Sequence, residues 1–116
     1  MKVLLKKPRA PAKIVTVPDR DDCREYKKLI GCEYTSGVYH PTIKDVYILL
    51  DDVRKIKGLT PNFWLREYNN DYAVGAAVFL GVGRVFNGEH YESDYVDLSD
   101  EQIADIKQWL KKKRLL

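Results

Sequence analysis

Hydrophobic positions along the chain change period several times, and each change marks an element. Val3, Leu4 and Leu5, then Ile14, Val15 and Val17, form two β-prone stretches, Lys2 to Lys7 and Lys13 to Val17. Between them, Pro8-Arg9-Ala10-Pro11 contains two residues that cannot donate to a ladder, so it belongs in the connection of an N-terminal hairpin. Pro18-Asp19-Arg20-Asp21-Asp22 offers carboxylates to the free N–H groups of a helix start. Cys23, Tyr26, Leu29 and Ile30 then recur at helical spacing. Lys27 and Lys28 fill the last turn, and Gly31 suits the left-handed residue beyond it.

After Cys32 the period drops to two. Tyr34, Val38 and Tyr39 predict a strand broken by Gly37 and ended by Pro41. Val46, Ile48 and Leu50 alternate with Tyr47 and Leu49, so both faces are apolar and the strand is central or covered on both sides. Asp51-Asp52 closes it. Leu59-Thr60-Pro61-Asn62 reads as a turn, Phe63-Trp64-Leu65 as an apolar crossing segment, and Asn69-Asn70-Asp71 as another turn. Tyr72 to Val82 reads as one buried strand whose small residues allow close packing. Gly83 to Asp97 is polar and carries the turn pair Asn87-Gly88, which predicts an exposed loop or a small hairpin.

The sharpest local signal lies near the C-terminus. Ser99-Asp100-Glu101-Gln102 is a capping box, with Leu98 and Ile103 at the hydrophobic-staple positions. Ile103, Ile106, Trp109 and Leu110 make one apolar helix face, and Lys111 to Arg114 sit at the negative end of the dipole. The order predicts one α+β domain over residues 1–116. Its mostly antiparallel sheet comprises the N-terminal hairpin and about three further strands, covered by a short helix and the capped terminal helix.

Composition narrows the function classes. The 116 residues suit one domain, and 45% hydrophobic content is too high for a disordered chain. A net charge of +3 is mild and by itself compels no nucleic-acid or membrane partner. The run Ala73 to Val82 is about half of the roughly 20 residues a bilayer crossing needs. Lys6 and Lys7 interrupt the N-terminus before a signal-peptide core can form. Cys23 and Cys32 form no CxxC motif and read as reduced thiols of a cytoplasmic protein.

Candidate catalytic chemistry is thin. His40 and His90 are the only histidines, far apart in different loops, and read as surface residues; no metal or other cofactor is called for. Asp21-Asp22, Asp51-Asp52 and the pair Glu92 and Asp94 fall at cap and turn positions, where acids serve structure. Gly81-Val82-Gly83 lacks the spacing of a phosphate loop or dinucleotide fingerprint. An enzyme using Cys23 or His40 as nucleophile or base lacks a positioned partner. The chain therefore reads as a non-enzyme.

Two surfaces suggest binding. Lys57, Asn62, Trp64 and Arg66 gather polar, aromatic and basic groups in a loop-rich segment, the composition of an interface hot spot. Lys6, Lys7 and Arg9 flank the N-terminal hairpin, and Lys111, Lys112, Lys113 and Arg114 extend the terminal helix beyond Lys107. If hairpin and helix end share a side, these cations form a patch for phosphates.

Gly31-Cys32-Glu33-Tyr34, Asp51 to Asn62, Asp71 to Gly81 and Leu98 to Ile103 follow one another in the order seen in the DUF3846 family, which this chain resembles. The family shows a Gly after a first helix, an acidic turn leading to a G-L-P-x-N segment, a glycine-containing apolar strand and an S-L-T-D-E-Q-type terminal helix. Here Phe63 stands where the family has Arg after the Asn, and Arg84 to Tyr95 is longer. The resemblance implies a small α+β protein carried by bacteriophages, plasmids and other mobile elements, without an assigned activity. Proteins of such elements often act by binding, for example as blockers of host defence.

The functional expectation is a non-catalytic binding protein of a bacteriophage or mobile element, an inhibitor or ligand sponge of a host defence system. The alternative is a nucleic-acid-binding accessory protein using the basic terminal clusters. The partners expected are a host protein or a small nucleotide-type ligand, with nucleic acid under the alternative, a second copy through Tyr-rich strand surface, and no membrane.

Overall fold

In the computed structural model, which describes residues 1–18, 24–53, 57–65 and 71–113, the N-terminal alternation becomes a hairpin. Strands β1 (Lys2–Lys6) and β2 (Lys13–Thr16) pair antiparallel, from Lys2 opposite Thr16 to Leu5 opposite Lys13. Helix α1 (Arg24–Ile30) buries Tyr26 and Ile30 and ends at Gly31, whose φ of 80° is the left-handed conformation glycine adopts readily. The capping stretch expected at Asp19 to Asp22, and Cys23, lie outside the described residues. Strands β3 (Thr35–Tyr39) and β4 (Val46–Asp51) are antiparallel, and β4 buries Val46, Ile48, Leu49 and Leu50, as a strand covered on both faces should.

Two departures come next in the chain, and the segment after them meets one of its two expectations. Pro61 opens strand β5 (Pro61–Leu65) instead of sitting in a turn; the first residue of a strand is where a missing N–H is tolerated. The apolar run from Tyr72 is two strands, β6 (Asp71–Val74) and β7 (Ala77–Phe86), separated at Gly75 with φ 75°. A Cβ there would lie 2.8 Å from the Leu59 side chain. A continuous apolar run cannot distinguish one buried strand from two that change sheet. The polar segment after Gly83 is a hairpin: β7 continues to Phe86 and pairs with β8 (Tyr91–Val96), with Gly88 at φ 102° in the turn. Asn87 Oδ1 accepts the N–H groups of Glu89 and His90, both at 3.0 Å. The described chain thus has six strands after the first hairpin, not about three.

Helix α2 (Asp100–Lys112) starts at the expected cap. Ser99 Oγ accepts the Gln102 N–H at 3.0 Å, and Gln102 Oε1 accepts the Ser99 N–H at 2.9 Å. The main sheet runs β2-β1-β7-β4-β3, with β8 also paired to β7; β5 and β6 form a separate two-stranded sheet. Every described pairing is antiparallel.

Strand alternation divides the core between two faces. On one, Leu4, Ile48, Leu50 and Phe79 pack with Phe63 and Leu65 of β5 and with Ile103, Ile106, Trp109 and Leu110 of α2. On the other, Val3, Leu5, Leu49, Val78 and Leu80 pack with Tyr26 and Ile30 of α1. Burying one Leu or Ile contributes about 1.5–3 kcal/mol, so these two layers dominate stability. Among the described residues no helix is long and apolar enough to cross a membrane.

Candidate functional site

Asn62 and Lys57 belong to different structures. Asn62, on β5, is buried, and its Nδ2 donates to the carbonyls of Lys6 and Gly75, both at 2.8 Å. It thereby ties the small sheet to β1 and to the link before β7. Its Oδ1 accepts from Lys6 Nζ at 3.0 Å. Lys57 Nζ donates to Asp51 Oδ2 at 2.6 Å, while Asp51 Oδ1 accepts the Val53 N–H at 3.0 Å. Asp51 shares the parity of Leu49, which faces α1, whereas Lys6 shares that of Leu4, which faces α2. The two residues therefore work on opposite faces of the sheet. Trp64 occupies β5 in register with Tyr72, and Arg66 lies outside the described residues.

Lys6 of one basic cluster and Lys107 and Lys111 of the other share a groove. The connection after β1 and the last turns of α2 enclose a groove of about 430 Å³, lined by Lys6, Pro11, Ala12, Lys107, Leu110 and Lys111. Lys107 and Lys111 are one helical turn apart and so neighbours on one helix face, with Leu110 between them. Lys6 approaches from β1. Its ammonium has three donors, and two are spent on neutral acceptors, the Lys7 carbonyl at 2.7 Å and Asn62 Oδ1. Burial pushes the Lys6 ammonium below its ordinary value, since leaving water disfavours the charged form. Among the described residues, no carboxylate pairs with Lys6, Lys107 or Lys111.

The turn between Lys6 and Pro11, two of the lining residues, is strained. Ala10 N–H donates to the Lys7 carbonyl at 3.2 Å, which makes Pro8 and Arg9 the central residues, and Arg9 has φ 60°. Glycine is favoured at that third position. An exposed cation stands there instead, beside exposed Lys7. Lys112 is exposed in the last turn of α2, and Lys113 Nζ lies 5.1 Å from the centroid of the Trp109 ring. Arg114 falls outside the described residues.

The remaining candidates lie away from the groove lining. His40 is buried, not on the surface: its Nδ1 accepts the N–H groups of Thr42 at 3.1 Å and Ile43 at 3.0 Å, and its ring lies 4.3 Å from that of Trp109. His90 is exposed in the β7–β8 turn. Cys32 is a free thiol whose pKa is raised by burial and by the nearby Asp51 charge, so its thiolate is disfavoured. Gly81 and Gly83 are strand residues of β7 packed on Val96. Among the described residues no group of three His, Cys, Asp or Glu side chains could hold a metal ion.

Pro11, Ala12 and Leu110, the apolar part of the groove, were not legible as a site. Leu110 reads as core from its helical spacing, and only the Lys107–Leu110–Lys111 arrangement hints at a polar-edged groove. Comparison with known families places residues 1–111 under one family model, described as Domain of unknown function (DUF3846). No curated protein and no solved structure matches the chain.

Proposed function

The chain belongs to the DUF3846 family, and we propose that it is a non-catalytic binding protein that holds an anionic ligand in the groove between the β1–β2 connection and α2. One observation carries this reading: three lysines without carboxylate partners among the described residues surround a cavity with apolar walls. Like charges brought together without neutralisation repel, and a bound anion relieves that repulsion. Lys6 adds preorganisation, because Asn62 and the Lys7 carbonyl already fix its ammonium. The described lining residues are three lysines, a proline, an alanine and a leucine, which suit retention of an anion better than proton transfer.

Sequestering such a ligand is what a cytoplasmic sponge of a mobile element, directed against a host defence signal, would require. Binding to nucleic acid is the second reading, favoured by Lys7 and Arg9, which stand exposed on the turn between the lining residues Lys6 and Pro11.

Backbone resonances test the site directly. Adding pyrophosphate to isotopically labelled protein at low salt should shift the amides of Ala10, Ala12, Lys107, Leu110 and Lys111. Spectra that stay unchanged at millimolar pyrophosphate, or that move only at residues remote from these, refute the assignment.

A further inference from the structure

The groove presents two kinds of wall, and their combination narrows the ligand. Lys107 and Lys111 on the helix and Lys6 on the strand supply positive charge. Leu110 on the helix, and Pro11 with Ala12 on the connection, supply apolar surface. A ligand of charge alone leaves the apolar surface unused, and an apolar ligand leaves the charge of three lysines uncompensated.

Size and surroundings separate a small molecule from a polymer. The volume of about 430 Å³ falls within the ~300–1,000 Å³ of small-molecule sites. Single-stranded nucleic acids are held largely by aromatic side chains on which successive bases stack. Among the described residues, none that lines the groove is aromatic. The exposed rings of Phe86 and Tyr91 lie at the far end of β7, whose beginning at Ala77 pairs with Lys6. That far hairpin also carries Glu89, Glu92 and Asp94, which repel a phosphate chain extended toward it.

Resting on the proposed anion-binding role, we infer that the groove takes a nucleotide-sized molecule: a phosphate-bearing end on Lys6, Lys107 and Lys111, and a flat apolar body against Pro11, Ala12 and Leu110. A nucleoside diphosphate has both parts. Its phosphates carry enough charge to engage more than one ammonium, and its base offers a face that aliphatic walls can cover.

Calorimetric titration of the full chain at low salt with pyrophosphate, adenosine diphosphate and a single-stranded deoxydodecamer decides the matter. Adenosine diphosphate is expected to bind one to one, at least tenfold more tightly than pyrophosphate and more tightly than the dodecamer. The doubly substituted Lys107→Gln, Lys111→Gln protein changes only exposed side chains; it should lose at least tenfold in affinity for both phosphates with an unchanged melting temperature. Equal affinity for pyrophosphate and adenosine diphosphate overturns the nucleotide inference and leaves the anion site standing. Tighter binding of the dodecamer overturns it in favour of a polymer. Absence of binding by all three probes, or full retention by the double variant, removes the inference and the anion site together.

Discussion

Lys57 and Lys6 stand at the same end of the main sheet, on opposite faces, and their ammonium groups meet opposite surroundings. Asp51 lies two residues beyond the Leu49–Val78 pair, and Lys6 is opposite Ala77, so both are near the start of β7. Lys57 donates to the buried Asp51 carboxylate, and that hydrogen bond raises its pKa. Lys6 donates to two neutral oxygens, and burial lowers its pKa. A lysine neutralised by a carboxylate is committed to the fold. A lysine held by neutral acceptors is equally fixed in place but keeps its whole charge for something else. Position alone does not distinguish the two; the partner does.

Removing each partner should separate stability from binding. Asn62→Ala deletes two donors to carbonyls and the acceptor that holds Lys6. Leaving such groups unsatisfied costs about 1–3 kcal/mol each, so a loss of roughly 3 kcal/mol in urea denaturation is expected. Asp51→Ala removes the acceptor for Val53 N–H and the buried carboxylate, with an expected loss of about 2 kcal/mol. Only Asn62→Ala should also weaken adenosine diphosphate binding, since it releases Lys6. Equal binding defects in the two variants would erase the distinction between the faces.

Much of the fold was legible because its signals are local. The Ser99 and Gln102 cap, the Gly31 helix stop and the period-two run at Val46 to Leu50 each depend on neighbours a few residues away. The separate sheet of β5 and β6 was not, because Gly75 looks the same in sequence whether it packs inside a strand or turns the chain. The site shows the same divide. Lys6 and Lys111 are conspicuous as charge, yet their sharing a groove depends on α2 packing on the β1 side of the core, a juxtaposition of residues about a hundred positions apart. Asn62 was conspicuous too, but as a surface group; its burial follows from Phe63 and Leu65 drawing β5 onto the core. Polar residues in apolar segments thus report a local oddity without saying whether it faces solvent or clamps backbone.

Replacing the lysines themselves sharpens the contrast at smaller cost. Lys6→Gln should weaken adenosine diphosphate binding about tenfold, or roughly 1.4 kcal/mol, while Lys57→Gln leaves it unchanged. The pH dependence carries the same asymmetry. The ligand selects the protonated Lys6, whose pKa lies below 10.5, so affinity should fall as pH rises through that lowered value. Lys57 is protonated more readily in the folded chain than in the unfolded one. The stability it lends is complete below 10.5 and is lost only as pH rises through its raised value. Calorimetry and urea denaturation between pH 7.5 and 10.5 should therefore show binding declining before the Asp51–Lys57 pair weakens. Binding that holds constant to pH 10.5 would remove Lys6 from the site.

The smallest expected effect discriminates most between a structural and a functional turn. Arg9 adopts φ 60°, a conformation that costs a residue bearing a Cβ about 1–2 kcal/mol and glycine little. Glycine also raises the entropy of the unfolded chain, so Arg9→Gly should stabilise the protein by only about 0.5–1 kcal/mol. If the turn exists merely to join β1 to β2, nothing else changes. If strain is retained there to hold a cation beside the anion groove, the same variant, more stable than its parent, binds adenosine diphosphate several-fold less tightly. A stabilised variant with undiminished affinity would show that Arg9 serves neither the ligand nor the fold, and would confine the site to Lys6, Lys107 and Lys111.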